Sequence, residues 1–193
     1  MELRYLLFLP IVLLTGCASP LMSPTDLASP TEDQAVITFY RNVFVGSAIQ
    51  APIAEEVGDD VSFVGISSKD TKIQHVVAPG KHRYVVGGES SHLLEADVEA
   101  GKSYYAKVDP RMGWLKARFH LVAQKGEDSE DAMKTVAKLN CVAPNEEGQK
   151  WFENHRKSML NKLRKAKEDH KVSNMAPADG LPFAKDANLN IAK

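Results

Sequence analysis

Beyond residue 17 this 193-residue chain has no long apolar run, because charge or glycine interrupts every hydrophobic stretch within a few residues. A helix crossing the hydrocarbon core needs about 20 apolar residues, so no membrane span is expected after that point. A basic excess is missing too. The chain has 24 Lys and Arg against 25 Asp and Glu, which argues against a nucleic-acid binder. It contains no Gly-x-Ser-x-Gly nucleophile elbow, no Ser-x-x-Lys pair, no His-Glu-x-x-His helix, no Walker loop and no glycine fingerprint opening a helix. Enzymatic activity is therefore not expected, and no cofactor is implied.

What is present begins with an apolar run at residues 6–14, LLFLPIVLL, preceded by Arg4 and followed by the small residues Thr15, Gly16 and Ala18. That is the layout of a signal peptide, and with about half the length of a span and Pro10 inside it the run is too short to stay in the bilayer. Leu14-Thr15-Gly16-Cys17 resembles the lipobox of bacterial lipoproteins: aliphatic, small, small, cysteine. The resemblance implies a signal peptide over 1–17, with Cys17 acylated on sulfur with palmitate-type chains, exposed as the mature amino terminus and acylated again on nitrogen. Each buried methylene contributes about 0.8 kcal/mol, so one chain holds marginally and several hold stably. Ala18 in place of aspartate implies, by similarity to enterobacterial lipoproteins, an outer-membrane, periplasm-facing location. The alternative is a plain secretory signal with an incidental cysteine.

With Cys17 assigned to lipid, Cys141 has no partner for an intrachain disulfide. It reads as a small core residue, or alternatively as an intermolecular or redox-active thiol. Residues 18–33, ASPLMSPTDLASPTED, carry three Ser-Pro steps and no hydrophobic periodicity, and are expected to form an extended tether that holds the folded part off the bilayer.

Residues 34–124 alternate short β-rich runs with Gly and Pro at intervals of roughly ten residues, which predicts an antiparallel β-sandwich of about seven or eight strands. Pro79-Gly80 and Ala100-Gly101-Lys102 read as hairpin turns. Leu94, Ala96 and Val98 alternate with Glu95, Asp97 and Glu99, and Phe119 and Leu121 alternate with Arg118 and His120, so each run has one apolar and one charged face. Residues 92–123 are expected to form a three-stranded meander in which these acids and bases pair. Residues 127–171 read as an extension of two helices. The first spans 128–139; the second is capped at Pro144-Asn145 and carries an apolar stripe of Trp151, Phe152, His155, Met159, Leu163 and Ala166. The tail at 172–193 is expected to be disordered.

The segments AVITFYR at 35–41, APGKH at 78–82 and EAGKSYY at 99–105 resemble bacterial lipoproteins that carry a small β-sandwich domain of unknown function. That resemblance implies a fold and an envelope setting and supplies no catalytic residues.

Three features invite a functional reading. Across a hairpin at Pro79-Gly80, His75 and His82 fall diagonally on one face, about 7 Å apart; two imidazoles begin a metal site but a third ligand is lacking, so no metal is expected. Trp114, Lys116, Arg118 and His120, with Tyr105 and Lys107 beside them, make a basic aromatic face that suits an anionic glycan such as peptidoglycan or lipopolysaccharide; the plainer reading is ion pairing with Glu95 and Asp97. The stretch from Arg156 to Lys171 is rich in Lys and Arg and reads as a solvated helix face or as a surface that docks on an anionic bilayer or partner. The expectation is a non-enzymatic lipid-anchored protein contacting an envelope protein or glycan, with the Trp114–His120 face as the alternative ligand-binding module.

Overall fold

A computed structural model of the chain describes residues 20–183 apart from 45, 47, 90 and 112–116, and it is from these residues that the architecture is read. Strands β1 (Met22–Pro24), β2 (Ala35–Arg41), β3 (Ala51–Val57), β4 (Asp60–Ser67), β5 (Thr71–Val77), β6 (Gly80–Val86), β7 (His92–Val98), β8 (Lys102–Arg111) and β9 (Arg118–Ala123) come first. Helix α1 (Glu127–Val136), strand β10 (Asn140–Pro144), helix α2 (Glu146–Glu168), strand β11 (Val172–Met175) and strand β12 (Leu181–Pro182) follow. The fold is mainly β and sandwich-like, with two sheets and with both helices in the carboxyl-terminal part, as the alternation predicts.

One sheet has the order β1-β10-β5-β2-β8-β12, with β9 on the side of β8; the other has the order β11-β7-β6-β3-β4. Ile37, Phe39, Ile53, Tyr84, Leu94 and Tyr104 meet in the core between the sheets. All seven residues of β2 are nevertheless buried, because the outer faces are covered as well. Ala132 and Val136 of α1 pack on Tyr40 and Tyr105, and Phe152, Met159, Leu163 and Ala166 of α2 pack on Ala54, Val85 and Leu93. The helices are thus outer layers of the same body, and each large side chain they bury contributes about 1.5 to 3 kcal/mol. Asn145 caps α2, its Oδ1 accepting from the Gly148 amide at 2.9 Å, and acids in the first turn and lysines in the last suit the helix dipole. His155 leaves the apolar stripe and stacks outside on Trp151 at 4.1 Å.

Several expectations fail for identifiable reasons. Residues 34–124 supply eight strands, as expected, but among the described residues β1, β10, β11 and β12 join the same two sheets, and the pairings of β2 with β8, β5 with β10 and β7 with β11 are parallel, not antiparallel. Pro79-Gly80 is a corner between sheets rather than a hairpin: β5 pairs β2 and β10, whereas β6 pairs β3 and β7. Gly80, at φ +127°, supplies a backbone conformation that a side chain disfavours. The 92–123 meander is also broken, since β7 pairs β6 and β11 while β8 pairs β9. Glu95 accordingly meets Arg83, whose Nε donates to it at 2.9 Å, and not the bases of β9.

The expected tether is partly folded. β1 pairs antiparallel with β10, and Asn145 Nδ2 donates to the Pro20 carbonyl at 2.6 Å and to Ser23 Oγ at 3.1 Å. A strand containing proline is tolerated there because β1 is the sheet edge. The 172–193 tail is likewise ordered where described: β11 lies parallel to β7, β12 pairs β8, and Tyr104 donates its hydroxyl proton to the Pro177 carbonyl at 3.3 Å. Strands of two to four residues docked on existing sheet edges leave no periodicity to read. The 127–171 extension contains β10, so the sandwich does not stop at residue 124. Residues 184–193 and Cys17 lie outside the described residues.

Candidate functional site

Ile53 and Glu55 share one face of β3, so the strand that contributes Ile53 to the core also aims a carboxylate between the sheets. Its side chain is 14% exposed. His75, from β5 of the other sheet, donates Nε2–H to Glu55 Oε2 at 2.9 Å, and His82 of β6 donates Nδ1–H to Oε1 at 2.6 Å. His82 Nε2 also faces an acceptor, the Ala78 carbonyl at 2.8 Å, so the two contacts together favour the doubly protonated ring. The Tyr84 hydroxyl donates to Oε1 at 3.4 Å from beneath.

Burial opposes ionisation of Glu55, but the hydrogen bonds and charge of the two histidines outweigh it and hold the carboxyl at about 2. The bond to Glu55 raises His82 against its desolvation, and burial beside Glu55 pushes the Tyr84 phenol well above its ordinary range. His82 has no lone pair left for a metal or a substrate proton. The cluster is an ionic latch between two sheets. Sequence reasoning brought His75 and His82 together by way of a hairpin that does not exist and missed Glu55; the available signal was an acid at an inward position of an alternating strand.

The predicted glycan face is only partly assembled. On β8 and β9, Lys107 stands opposite Val122, Asp109 opposite His120 and Arg111 opposite Arg118, all on one face. Tyr105, by contrast, is 2% exposed, buried with Tyr40 beneath α1, and cannot contact a ligand. Trp114 and Lys116 lie outside the described residues. The face gains two groups that the sequence did not point to, Arg111 and His92. The His92 ring stacks on His120 at 4.4 Å, is 7% exposed, and its Nδ1 finds no hydrogen-bond partner among the described residues. Burial, with the neighbouring charges of His120 and Arg111, pushes His92 down to about 4; burial and Arg111 also lower His120.

A groove of about 510 Å³ lies on the part of the second sheet's outer face that α2 leaves uncovered. Arg83 meets Glu56 at 2.6 Å and Glu95 at 2.8 Å, and Lys167 of α2 meets Glu56, so these lining charges satisfy one another. The basic run is similarly engaged in part: Arg156 pairs with Asp60 at 2.8 Å and Lys162 donates to the Gly88 carbonyl at 2.7 Å. Cys141 is a half-buried free thiol, and burial pushes its pKa up, away from thiolate reactivity.

Comparison with known proteins finds no matching family model, no similar curated protein and no similar solved structure.

Proposed function

We propose that the protein is a lipid-anchored, non-catalytic component of the bacterial outer membrane that faces the periplasm and works by contacting other envelope components. The observation that carries this reading is the short distance along the chain between the lipobox cysteine and the folded body. Pro20 is already hydrogen-bonded to Asn145, and the three residues of chain from Cys17 reach about 10 Å at full extension. An acylated Cys17 would therefore hold the body against the bilayer instead of on a long tether. Among the described residues no helix is long and apolar enough to cross a membrane, and acyl chains supply the attachment in this reading.

The strand registers support one orientation of the body in this reading. By register Met22 stands level with about His75 and Ile37, and the chain before it runs toward the end that carries Ala35 and Val77, whereas Arg41, Arg111 and Arg118 lie toward the opposite end. In this reading the second end faces the periplasm. The test is Cys17→Ala in cells fed radiolabelled palmitate. Loss of label and of lipid fractionation is expected; a variant that keeps both at the wild-type level overturns the proposal.

A further inference from the structure

Arg111 and Arg118 form the last residue pair of the β8–β9 ladder, directly opposite each other on one face. Side chains so placed have Cβ atoms about 5 Å apart, and like charges there destabilise the pair. The next pair on that face is Asp109 and His120, and His120 stacks on the buried His92. Lys171, just beyond α2, adds to the positive field at both rings. Among the described residues each of these cations has one carboxylate in reach, Asp109 at 3.2 Å from Arg111, Glu89 at 3.7 Å from Arg118 and Asp169 at 2.6 Å from Lys171, and a single contact of this kind leaves further N–H donors of each guanidinium free to meet a ligand.

We propose that this end of the β8–β9 ladder binds a small phosphate-class oxyanion, with Arg111 and Arg118 as a charged clamp and His120 and His92 as hydrogen-bond donors. Guanidinium groups present planar pairs of donors that match an oxyanion. Without an anion, burial first and the surrounding cations second disfavour the charged form of both rings, a hydrogen bond to the Leu93 backbone acting the other way at His92, and no close partner for His92 Nδ1 is found among the described residues. An anion reverses the local field, so the rings can take up protons and donate. The same cations repel a metal ion from the two imidazoles. In the groove beside Glu56, Arg83 is held between two carboxylates, and at Glu55 both imidazoles are bonded to the one carboxylate, so neither place presents two facing guanidinium groups.

The site lies about 25 Å along β8 from the end that carries the first described residues, by the rise of an extended strand. If the anchor proposal holds, that distance favours a soluble anion over a headgroup of the anchoring bilayer; the binding itself does not depend on the anchor.

The experiment is an NMR titration of the histidine ring protons of the full chain in detergent micelles with inorganic phosphate, at about pH 5.5 and about pH 8, on either side of the ordinary histidine range. Saturable shifts of His92 and His120, with His75 and His82 unmoved, are expected. Measured with sulfate, which stays a dianion over this range whereas phosphate gains a charge, affinity should be about tenfold or more higher at the lower pH, the equivalent of one charge-assisted hydrogen bond. The double variant Arg111→Gln, Arg118→Gln should lose binding by at least a similar factor without a lower thermal midpoint, since it removes an opposed pair of like charges. Absence of a saturable shift at either pH, shifts produced by zinc but not by phosphate, or unchanged binding by a folded double variant would each overturn the proposal.

Discussion

His82 and Glu55 stand 2.6 Å apart on β6 and β3, and His75 reaches the same carboxylate from the opposite sheet at 2.9 Å. One carboxylate therefore ties the two halves of the sandwich together at their shared end. Glu55→Gln keeps the shape and removes the charge, leaving a partly buried imidazolium without its counter-ion. A loss of about 3 kcal/mol is expected in denaturant unfolding, the scale of a broken buried ion pair. A loss below about 1 kcal/mol would mean that the latch behaves as a surface pair.

The same latch has a pH window. Glu55 is held at about 2 against an ordinary 4.5, so its contribution is complete above about 4.5 and disappears as pH falls toward 2. His82 is raised above 6.5, so its contribution is complete below 6.5 and is lost as pH rises through its folded value. Together they favour the interval between about 4.5 and 6.5, and in Glu55→Gln the alkaline loss due to His82 should shrink. A thermal midpoint against pH with the same alkaline slope in both proteins would count against this assignment.

His92 acts with the opposite sign. Its pKa is lowered to about 4 from 6.5, so in that interval the unfolded chain binds a proton that the folded chain refuses, and stability falls as pH falls. His92→Asn should flatten the midpoint-pH curve between about 4 and 6.5. An unchanged slope would remove His92 from the acid response.

Gly148 lies in the first turn of α2, where a Cβ would overlap the Leu21 carbonyl oxygen. Gly148→Ala raises intrinsic helix propensity by about 1 kcal/mol yet must displace the chain that leads into β1. The expected outcome is faster proteolysis between residues 20 and 34 with α2 intact. Equal protection in both proteins would show that β1 can move aside without leaving β10.

Gly180 plays the same part at the other edge, since a Cβ there would stand 2.5 Å from the Tyr104 ring. Gly180→Ala should release β12 from β8 and expose the amides around Leu181 to hydrogen exchange. Unchanged protection of those amides would refute the close packing.

The strands and helices were legible from local rules: period-two alternation located β7 and β9, and Asn145 with its acidic first turn marked the start of α2. The lipobox reading of Cys17 likewise rests on sequence alone. Partner choice was not legible. Alternation states which face of a strand is apolar and is silent about which sheet receives it, so β5 and β6 read as a hairpin and fold as a corner, and β7 joins β6 and β11 and leaves β8 to β2 and β9. Tyr105 read as half of an exposed face because no local pattern reveals that α1 will cover it.

The residues by themselves determined a β-rich body with two carboxyl-terminal helices, because hydrophobic period, caps and turns are properties of neighbours along the chain. Only the tertiary structure decided that Glu55 meets His75 and His82, that Arg111 faces Arg118 beside His92, and that the first and last described strands dock on sheet edges. Those relationships depend on strand order and register, which arise from competition among long-range pairings that no short window contains.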